Sequence, residues 1–333
     1  MFIDAHAHLD PHYHAFSPEE LIARAADAGV ERLVVVGCGV EASERAVELA
    51  QRRPDRVSAA VGVHPHDVEE MSEADFDRIR ALAQLPEVVA VGETGLDYHY
   101  DHSPRDLQRE VFRRFIALGV EVDKPVVVHT REAEADTVEI LREVGPLAAG
   151  GQIHCFTGTM ALAGPAVELG WHVSFAGVVT FNNADTLRAC AAELPLERLL
   201  IETDCPYLTP APFRGRKNEP LFVPVVAGQI AALRGLSVEA VAAQTTANAR
   251  RLFRLPQASS RPLAFASGQT LHLRAAGAEA DEVLAAAERL PLKKIRRVQA
   301  HLPEGASPDP VLVAALEAWA RGRGRSLEVP SAA

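Results

Sequence analysis

Two histidines separated by one residue lie near the start of the chain, in the segment FIDAHAHLD. Alternate residues of a β-strand point to the same face, so His6 and His8 could both reach one cation if this segment is a strand. Asp4 would share that face. Two strand histidines can equally be polar interior residues, so the pair alone does not establish a metal site.

Four other short apolar runs also end in residues of metal-binding type. Glu93 lies in VGETGLDY, and its carboxylate could bridge two cations, one through each oxygen, which a neutral imidazole cannot do. His129 in VVVHTRE and His154 in QIHCFTG supply an adjacent pair of nitrogen ligands for a second cation. Asp204 in LLIETDCPYL ends a run that would close a sheet beside the first strand, and so approach the cation held by the first histidine pair.

These six residues are easier to explain together than singly. Any one of them could cap an element or form an ordinary hydrogen bond. Burying so many polar groups without a cation is costly, however, and coordination removes that cost. We therefore expect two divalent cations, which can activate water, hold a phosphoryl group and stabilise its leaving oxygen. The expected ligands are His6, His8, Glu93, His129, His154 and Asp204.

Other residues near these run ends are candidates for orienting ligands or holding substrate. Glu202 lies two residues before Asp204, and together with Asp4 it is a candidate partner for a ligand histidine. His64, in VGVHPH, is not needed for either cation, and we assign it to contact with a substrate phosphate. Further candidates could hold phosphates or stack bases, although charged residues are also common on solvated faces. They are Tyr98, Arg131, Arg214, Arg216 and Lys217.

The elements that must position these residues alternate along the chain. Short runs rich in β-branched residues recur between longer amphipathic stretches, which indicates parallel β/α units rather than hairpins. Eight such units in about 250 residues predict a (β/α)8 TIM barrel over residues 1–256, with catalytic groups at the carboxyl ends of the strands. The expected strands are Phe2–His6, Arg32–Gly37, Val57–Val63, Val88–Glu93, Pro125–His129, Gln152–His154, His172–Gly177 and Leu199–Asp204.

Composition restricts the class of protein. No apolar run is long enough to span a bilayer, and the start lacks a basic region followed by an apolar stretch, so we expect a cytoplasmic protein that makes no membrane contact. The four cysteines are widely spaced and are expected to be reduced. The net charge of −11 argues against a protein that coats nucleic acid, although a local phosphate site is compatible with it.

The last part of the chain differs from the first. Residues 255–262, LPQASSRP, are poor in large apolar side chains and contain two prolines, which is typical of a linker. Together with most of this linker, residues 257–333 are predicted to form a small α/β domain without a catalytic motif. Its expected elements alternate as β-α-β-α-β over 263–275, 279–290, 295–302, 310–321 and 326–329. This segment carries a net charge of +2, against −13 for residues 1–256, and is a possible surface for a protein partner.

The chain resembles the TatD family of metal-dependent deoxyribonucleases, a branch of the amidohydrolase-like TIM barrels, from Met1 to about Phe253. The matching blocks are FIDAHAHLD, GVHPH, GETGLDY, QREVF, KPVVVHTREA, HCFTG, ETDCPYL, NEP and NARRLF. The resemblance implies hydrolysis of DNA that depends on Mg²⁺, Mn²⁺ or Zn²⁺, often as a 3′ to 5′ exonuclease on single strands. It implies a metal role for the six expected ligands, with Glu93 and Asp204 also catalytic, and a catalytic, substrate-binding role for His64.

Two other classes of function stay open at this point. One is a different two-metal barrel hydrolase that cleaves an ester, lactone, amide or aminoacyl-tRNA bond. Such barrels often bridge their metals with a carboxylated lysine on the fourth strand, where this chain has Glu93. The other is a scaffold that recruits partners through residues 257–333, against which the complete ligand set argues.

Overall fold

The computed structural model describes residues 1–255, 264–267, 270–274, 284, 297–301, 310–324 and 326–328. The first of these ranges contains a parallel eight-stranded sheet whose strand order follows the chain order. The fold is the predicted TIM barrel. Its strands are β1 (Phe2–Ala7), β2 (Val30–Val36), β3 (Val57–Val61), β4 (Val88–Asp97), β5 (Val126–Arg131), β6 (Gly151–Ile153), β7 (His172–Phe175) and β8 (Leu199–Ile201).

Helices follow the strands and cover the outside of the sheet. Several begin where the sequence offers a capping residue: the Ser17 side chain caps α1 and the Ser72 side chain caps α3, each in a capping box with an acidic residue three positions later. The helices are α1 (Pro18–Asp27), α2 (Val40–Arg52), α3 (Glu73–Ala83), α4 (Arg105–Glu121), α5 (Glu134–Val144), α6 (Met160–Glu168), α7 (Asp185–Glu193), α8 (Val223–Arg234) and α9 (Val238–Phe253).

The barrel closes between its last and first strands. β8 ends at Ile201, earlier than the expected end at Asp204, but the chain continues alongside β1. The backbone N–H of Asp204 donates to the carbonyl of His6 at 3.0 Å, and the N–H of His8 donates to the carbonyl of Cys205 at 3.0 Å. These bonds hold the two ends of the sheet together at the level of the first histidine pair.

The strand β4 is longer than expected. It continues to Asp97, past the expected end at Glu93, with a register shift against β5 between Val91 and Thr94. Gly92 and Gly95 make this path possible: both have positive φ, and a Cβ at either would lie within 2.4 Å of a β5 carbonyl oxygen. Glu93 and Asp97 therefore both belong to one extended segment at the barrel mouth.

The apolar core has two parts. The larger lies between the helices and the sheet, and the smaller fills the barrel interior. In the interior part, inward side chains such as Ile3 and Val34 pack against the end of α9, including Phe253 and Leu255. Residues up to Leu255 thus belong to the core of the barrel.

Beyond residue 255 the described segments form a second sheet of four strands. They are β9 (Ala264–Ser267), β10 (Thr270–Arg274), β11 (Arg297–His301) and β12 (Ser326–Glu328), with a helix over Pro310–Arg321 between the last two. The single strand expected over 263–275 is instead two antiparallel strands, β9 and β10. Most of the expected linker, and the expected helix over 279–290 apart from Leu284, lie outside the described residues.

Two further observations concern the described residues. All four cysteines are free, as expected. No single helix has the length and apolarity to cross a membrane; one pair of helices bent by 114°, Pro220–Arg234 with Val238–Phe253, passes by length and composition only.

Candidate active site

Glu93 lies at the centre of a cluster of histidines at the carboxyl ends of the strands. Its Oε2 atom is 2.7 Å from Nε2 of His154 and 3.6 Å from Nε2 of His6. Its Oε1 atom is 3.8 Å from Nε2 of His8 and 3.9 Å from Nε2 of His64. Oε2 thus faces one histidine from each expected ligand pair, while Oε1 faces His8 and His64, and the bridging role stays a prediction.

Asp204 and His129 complete the cluster on either side of Glu93. Asp204 Oδ1 is 3.5 Å from Nε2 of His8 and 4.0 Å from Nε2 of His6. His129 Nδ1 is 3.3 Å from Nε2 of His154. All six expected ligands thus lie together, and His6, His8 and Glu93 are close enough to share one cation.

The histidines are oriented so that their inner nitrogens can act as ligands. A metal-binding imidazole donates its outer N–H to an acceptor, which leaves a lone pair on the inner nitrogen. His8 Nδ1 is 3.0 Å from the carbonyl oxygen of Val36, and His129 Nε2 is 2.9 Å from Oδ2 of Asp97. His154 Nδ1 faces Oε1 of Glu202 at 3.5 Å. Two of the four expected histidine ligands are therefore hydrogen-bonded to an acceptor on the outer side, and His154 faces a carboxylate there.

The inner atoms fit a cation better than they fit one another. Nε2 of His6 lies 3.2 Å from Nε2 of His8, and two lone pairs at this distance repel unless a proton or a cation lies between them. Among the described residues, no donor lies in hydrogen-bond geometry to Glu93 Oε2, although His154 Nε2 is only 2.7 Å away. Convergent nitrogen and carboxylate donors of this kind suit Zn²⁺, with Mn²⁺ also compatible.

Glu93 and His154 carry opposite charges within the cluster. Burial disfavours the charged form of both Glu93 and His154, but their mutual attraction outweighs it: the pKa of Glu93 is held well below its usual range and the pKa of His154 is raised. The two groups form a buried ion pair at neutral pH. A cation would take the place of the proton on the inner nitrogen of His154.

His64 differs from the other histidines of the cluster. Its Nδ1 accepts the backbone N–H of His66 at 3.2 Å, so the proton of the neutral ring belongs on Nε2, which faces Glu93. Burial, followed by its histidine neighbours, lowers the pKa of His64 despite the attraction of Glu93. The side chain can thus donate an N–H towards the cluster, although Nε2 is also near enough to Glu93 and His129 to approach a cation.

The barrel and its cluster have clear relatives among known proteins. A family model described as TatD related DNase matches residues 3–254. The chain belongs to the TatD-related DNase family. It is 48% identical over 255 residues to an uncharacterized metal-dependent hydrolase, YabD, of Bacillus subtilis strain 168. The matched region covers 77% of this chain and all of that protein. It is a metal-dependent hydrolase.

Two further relatives describe the family more closely. A protein of Pantoea vagans strain C9-1 named 3′-5′ ssDNA/RNA exonuclease TatD is 39% identical over 242 residues, 71% of this chain and 93% of that one. The crystal structure of the TatD homologue YjjV of Escherichia coli K12 superposes with a TM-score of 0.72 at 31% identity, over 77% of this chain and 98% of that one. Residues beyond 254 lie outside the family match.

In this member of the TatD-related family, the two candidate orienting carboxylates behave differently. Glu202 accepts hydrogen bonds from Gln152, Ser174 and the backbone N–H of Cys155, which holds it in place beside His154. Asp4 instead accepts bonds from the backbone and hydroxyl of Thr203 and from the backbone N–H of His6. Asp4 therefore braces the junction of β1 and β8, and among the described residues it makes no hydrogen bond to a ligand imidazole. Burial raises its pKa to about 8.

Asp97 and Cys38 reach the cluster although no motif argument had singled them out. Asp97 Oδ2 faces both His129 and His66, at 2.9 and 3.0 Å. The thiol of Cys38 donates to Oε1 of Glu93 at 3.1 Å, and burial raises its pKa to about 12, so it is a neutral donor. Strand alternation places Asp97 on the same face as Glu93, four residues earlier, but only once the strand is known to continue past Glu93.

The candidate substrate residues occupy two places. Tyr98 points away from the cluster: its hydroxyl donates to Asp136 on α5 at 2.5 Å. Arg131 stacks over the exposed ring of Tyr100 at 4.8 Å. The other three lie on the loop after β8.

On that loop, Arg214 stacks over Phe181 with its guanidinium 3.9 Å from the ring centroid. Arg216 lies 3.6 Å from Oε1 of Glu219. Lys217 donates to the carbonyl oxygen of Tyr13. Of the three cations only Arg214 lacks an oxygen partner in the described part of the chain, so it is the one most available to a phosphate.

Proposed function

We propose that this chain hydrolyses phosphodiester bonds in single-stranded nucleic acid, from the 3′ end, with two divalent cations. The observation that carries the proposal is the position of Glu93 between the pair His6–His8 and the pair His129–His154. A carboxylate shared in this way is what a two-cation phosphoryl-transfer site requires. The name of the Pantoea relative supports the choice of single-stranded DNA or RNA as substrate.

In this proposal His6, His8 and Asp204 hold one cation, His129 and His154 hold the other, and Glu93 is shared. The bound cations would supply Lewis-acid activation of water and stabilisation of negative charge. Four imidazole ligands favour Zn²⁺ or Mn²⁺ over Mg²⁺. The outer partners Val36, Asp97 and Glu202 keep three of the imidazoles oriented.

The chain's own groups then act on the substrate. Asp204 faces the cluster beside His8, and accepts a proton from the attacking water as the water oxygen bonds to phosphorus. His64 donates its Nε2 proton as a hydrogen bond to a non-bridging phosphate oxygen. The bond from phosphorus to the leaving alkoxide breaks in the same displacement, and the leaving oxygen takes a proton from solvent.

Oligonucleotides labelled at one end test this proposal. Purified protein is incubated with 5′-labelled and with 3′-labelled single-stranded DNA and RNA, each with EDTA and with added Mg²⁺, Mn²⁺ or Zn²⁺. We expect a metal-dependent ladder of shortening 5′-labelled products and immediate release of the 3′ label as mononucleotide.

The Glu93→Gln variant, purified in parallel, controls for contaminating nucleases, because it should lose the activity together with its metal. Aminoacyl-tRNA is included as a competing substrate. Release of the amino acid without any cleavage of DNA or RNA would replace the proposal by ester hydrolysis. Degradation that persists equally in Glu93→Gln would show that the observed nuclease is not this chain.

A further inference from the structure

A groove of about 480 Å³ leads away from the metal-ligand cluster. Its inner end is formed by His8, Glu93 and Cys38, and its outer part runs between α2 and the loop that follows β1. A volume of this size lies within the range of pockets that hold small ligands, roughly 300–1,000 Å³. The groove can therefore hold the part of a substrate that lies next to the group bound at the cluster.

Two half-exposed tyrosines stand on one wall of this groove. Tyr207 is 52% exposed and Tyr13 is 47% exposed, so both rings are open to a ligand in the groove. The ring of Tyr207 is 6.4 Å from the ring of His8, and the ring of Tyr13 is a further 6.5 Å from Tyr207. The aromatic wall is thus continuous with the first histidine pair.

Both tyrosines lie on turns that hydrogen bonds hold in place. Tyr13 ends a short 3-10 helix, Pro11–Tyr13, whose first turn is capped by the Asp10 side chain. Lys217 donates to the carbonyl oxygen of Tyr13 and ties this turn to the loop after β8. Tyr207 lies three residues after Asp204, and its backbone N–H donates to the Asp204 carbonyl at 3.0 Å. The rings are therefore presented by anchored turns.

The outer part of the groove, away from His64 and the cluster, is not built for phosphate. The two arginines of α2 that line it are already paired: Arg45 with Asp10 at 2.5 Å and Arg52 with Glu19 at 3.0 Å. Buried apolar side chains that include Leu9 and Leu49 also line the groove. A flat, uncharged aromatic group suits these walls better than an anion does.

We propose that Tyr13 and Tyr207 stack a nucleobase of the strand whose phosphate lies at the cluster. This inference rests on the proposed function and deepens it by assigning a base-binding subsite. The two rings are tilted by 51°, so that a base can take the face of one and the edge of the other. Stacking of this kind accepts any base, because every base has a π-face, and it requires an unpaired strand.

Abasic substrates test the subsite through the reaction. Steady-state constants are measured on single-stranded oligothymidylate and on matched strands with an abasic residue at the last or the penultimate 3′ position. For the wild type, loss of the base that stacks on the tyrosines should raise KM by about 5- to 150-fold relative to the normal strand, the equivalent of roughly 1–3 kcal/mol for one stacked base. We call this KM on the abasic strand divided by KM on the normal strand the abasic ratio. In Tyr13→Leu and Tyr207→Leu the abasic ratio should fall several-fold. Tyr13→Phe and Tyr207→Phe keep an aromatic ring and should keep the wild-type ratio.

A matched control is available in Phe16. Its ring is exposed and close in sequence, but it stacks under Arg24 and does not line the groove. Phe16→Leu should therefore leave the abasic ratio unchanged. Tyr13 is the more informative position, because Tyr207 lies beside the expected metal ligand His8 and its replacement could also change metal binding. Metal content is therefore measured for every variant.

Binding without turnover provides a second readout. Quenching of a trinucleotide that carries 2-aminopurine is followed in EDTA, where no cleavage is expected. Quenching in the wild type that is lost in Tyr13→Leu and kept in Tyr13→Phe supports the subsite, even if cleavage assays fail.

Wild-type cleavage with equal constants for normal and abasic strands, or quenching equal in all variants, would overturn the subsite and leave the proposed function standing. Failure to cleave any strand under every metal condition would instead count against the proposed function.

Discussion

Asp97 Oδ2 accepts the Nε2 proton of His129 at 2.9 Å, on the side of the imidazole opposite the cluster. The same carboxylate is fixed by the backbone N–H groups of His99 and Tyr100, which donate to Oδ1. Burial acts to raise its pKa, but His129 and these bonds hold the pKa well below the usual range, so the group is a carboxylate. Asp97 thereby sets the tautomer and direction of one candidate ligand.

We expect Asp97→Asn to weaken metal binding by about 10- to 100-fold, the range typical of a lost outer partner. The amide keeps the shape but no longer attracts the outer proton of His129. Competition with a chelating dye measures the affinity. Asp136→Asn, which removes an acid bonded to Tyr98 and Arg109 away from the cluster, is the control. Equal affinities of the two variants would rule out the orienting role.

Glu93→Ala should reduce activity more than replacement of any one histidine of the cluster, because both proposed cations would lose a ligand at once. The loss should exceed the roughly 10- to 100-fold effect of an outer partner. Metal content by elemental mass spectrometry and kcat/KM are measured on the same preparations. Wild-type turnover with two equivalents of metal in Glu93→Ala would contradict the shared role.

Arg214→Ala should weaken binding of single-stranded DNA more than Arg216→Ala. Arg216 is already near Glu219, whereas Arg214 has no carboxylate partner among the residues that the structure describes. Each lost phosphate contact lowers the slope of log K against log salt concentration by about 0.7 on single strands. The slope is measured in EDTA by fluorescence anisotropy. Identical slopes for wild type and Arg214→Ala would mean that this loop is only a solvated surface.

His172 should make the barrel less stable in mild acid. It is buried at the start of β7, and burial, followed by the charges of Arg198 and Arg251, lowers its pKa from 6.5 to about 4. Because the unfolded chain binds the proton more readily, the stability is complete above about pH 6.5 and is lost as the pH falls towards 4. Between pH 7.5 and 5 the loss is about 2 kcal/mol in the free energy of unfolding.

Urea unfolding of wild type and His172→Gln in EDTA isolates this contribution. Other titrating groups affect both proteins alike, so the difference between the two curves belongs to His172. We expect wild type to lose about 2 kcal/mol more than the variant over this pH range. Parallel curves would show that His172 can accept its proton in the folded state.

Deletion of residues 257–333 should leave a folded barrel, which would support the predicted domain boundary and allow the role of the tail in partner binding to be examined separately. Deletion of residues 249–333 is the matched comparison, because it also removes Leu252, Phe253 and Leu255 from the barrel interior. We expect a cooperative melt and bound metal only for the shorter deletion. Aggregation of both would place part of the tail in the barrel's own core.

The sequence by itself determined the barrel and predicted the residues that lie together in its candidate metal-ligand cluster. Runs of β-branched residues mark buried parallel strands wherever they pack, and all eight were found. The carboxyl ends of parallel strands meet at one mouth, so residues such as His6 and Asp204 could be brought together without knowing any distance. Local pattern and topology are sufficient to group these residues, because every parallel strand of the barrel ends at the same mouth.

Only the tertiary structure decided which neighbours each side chain faces. The path of β4 past Glu93 depends on the close approach of its two glycines to β5, and it turns Asp97 towards His129 while Tyr98 points to α5. The wall of Tyr13 and Tyr207 joins turns that are distant along the chain. Side-chain direction at a strand end depends on register and on contacts between segments, and no local pattern of residues specifies either one.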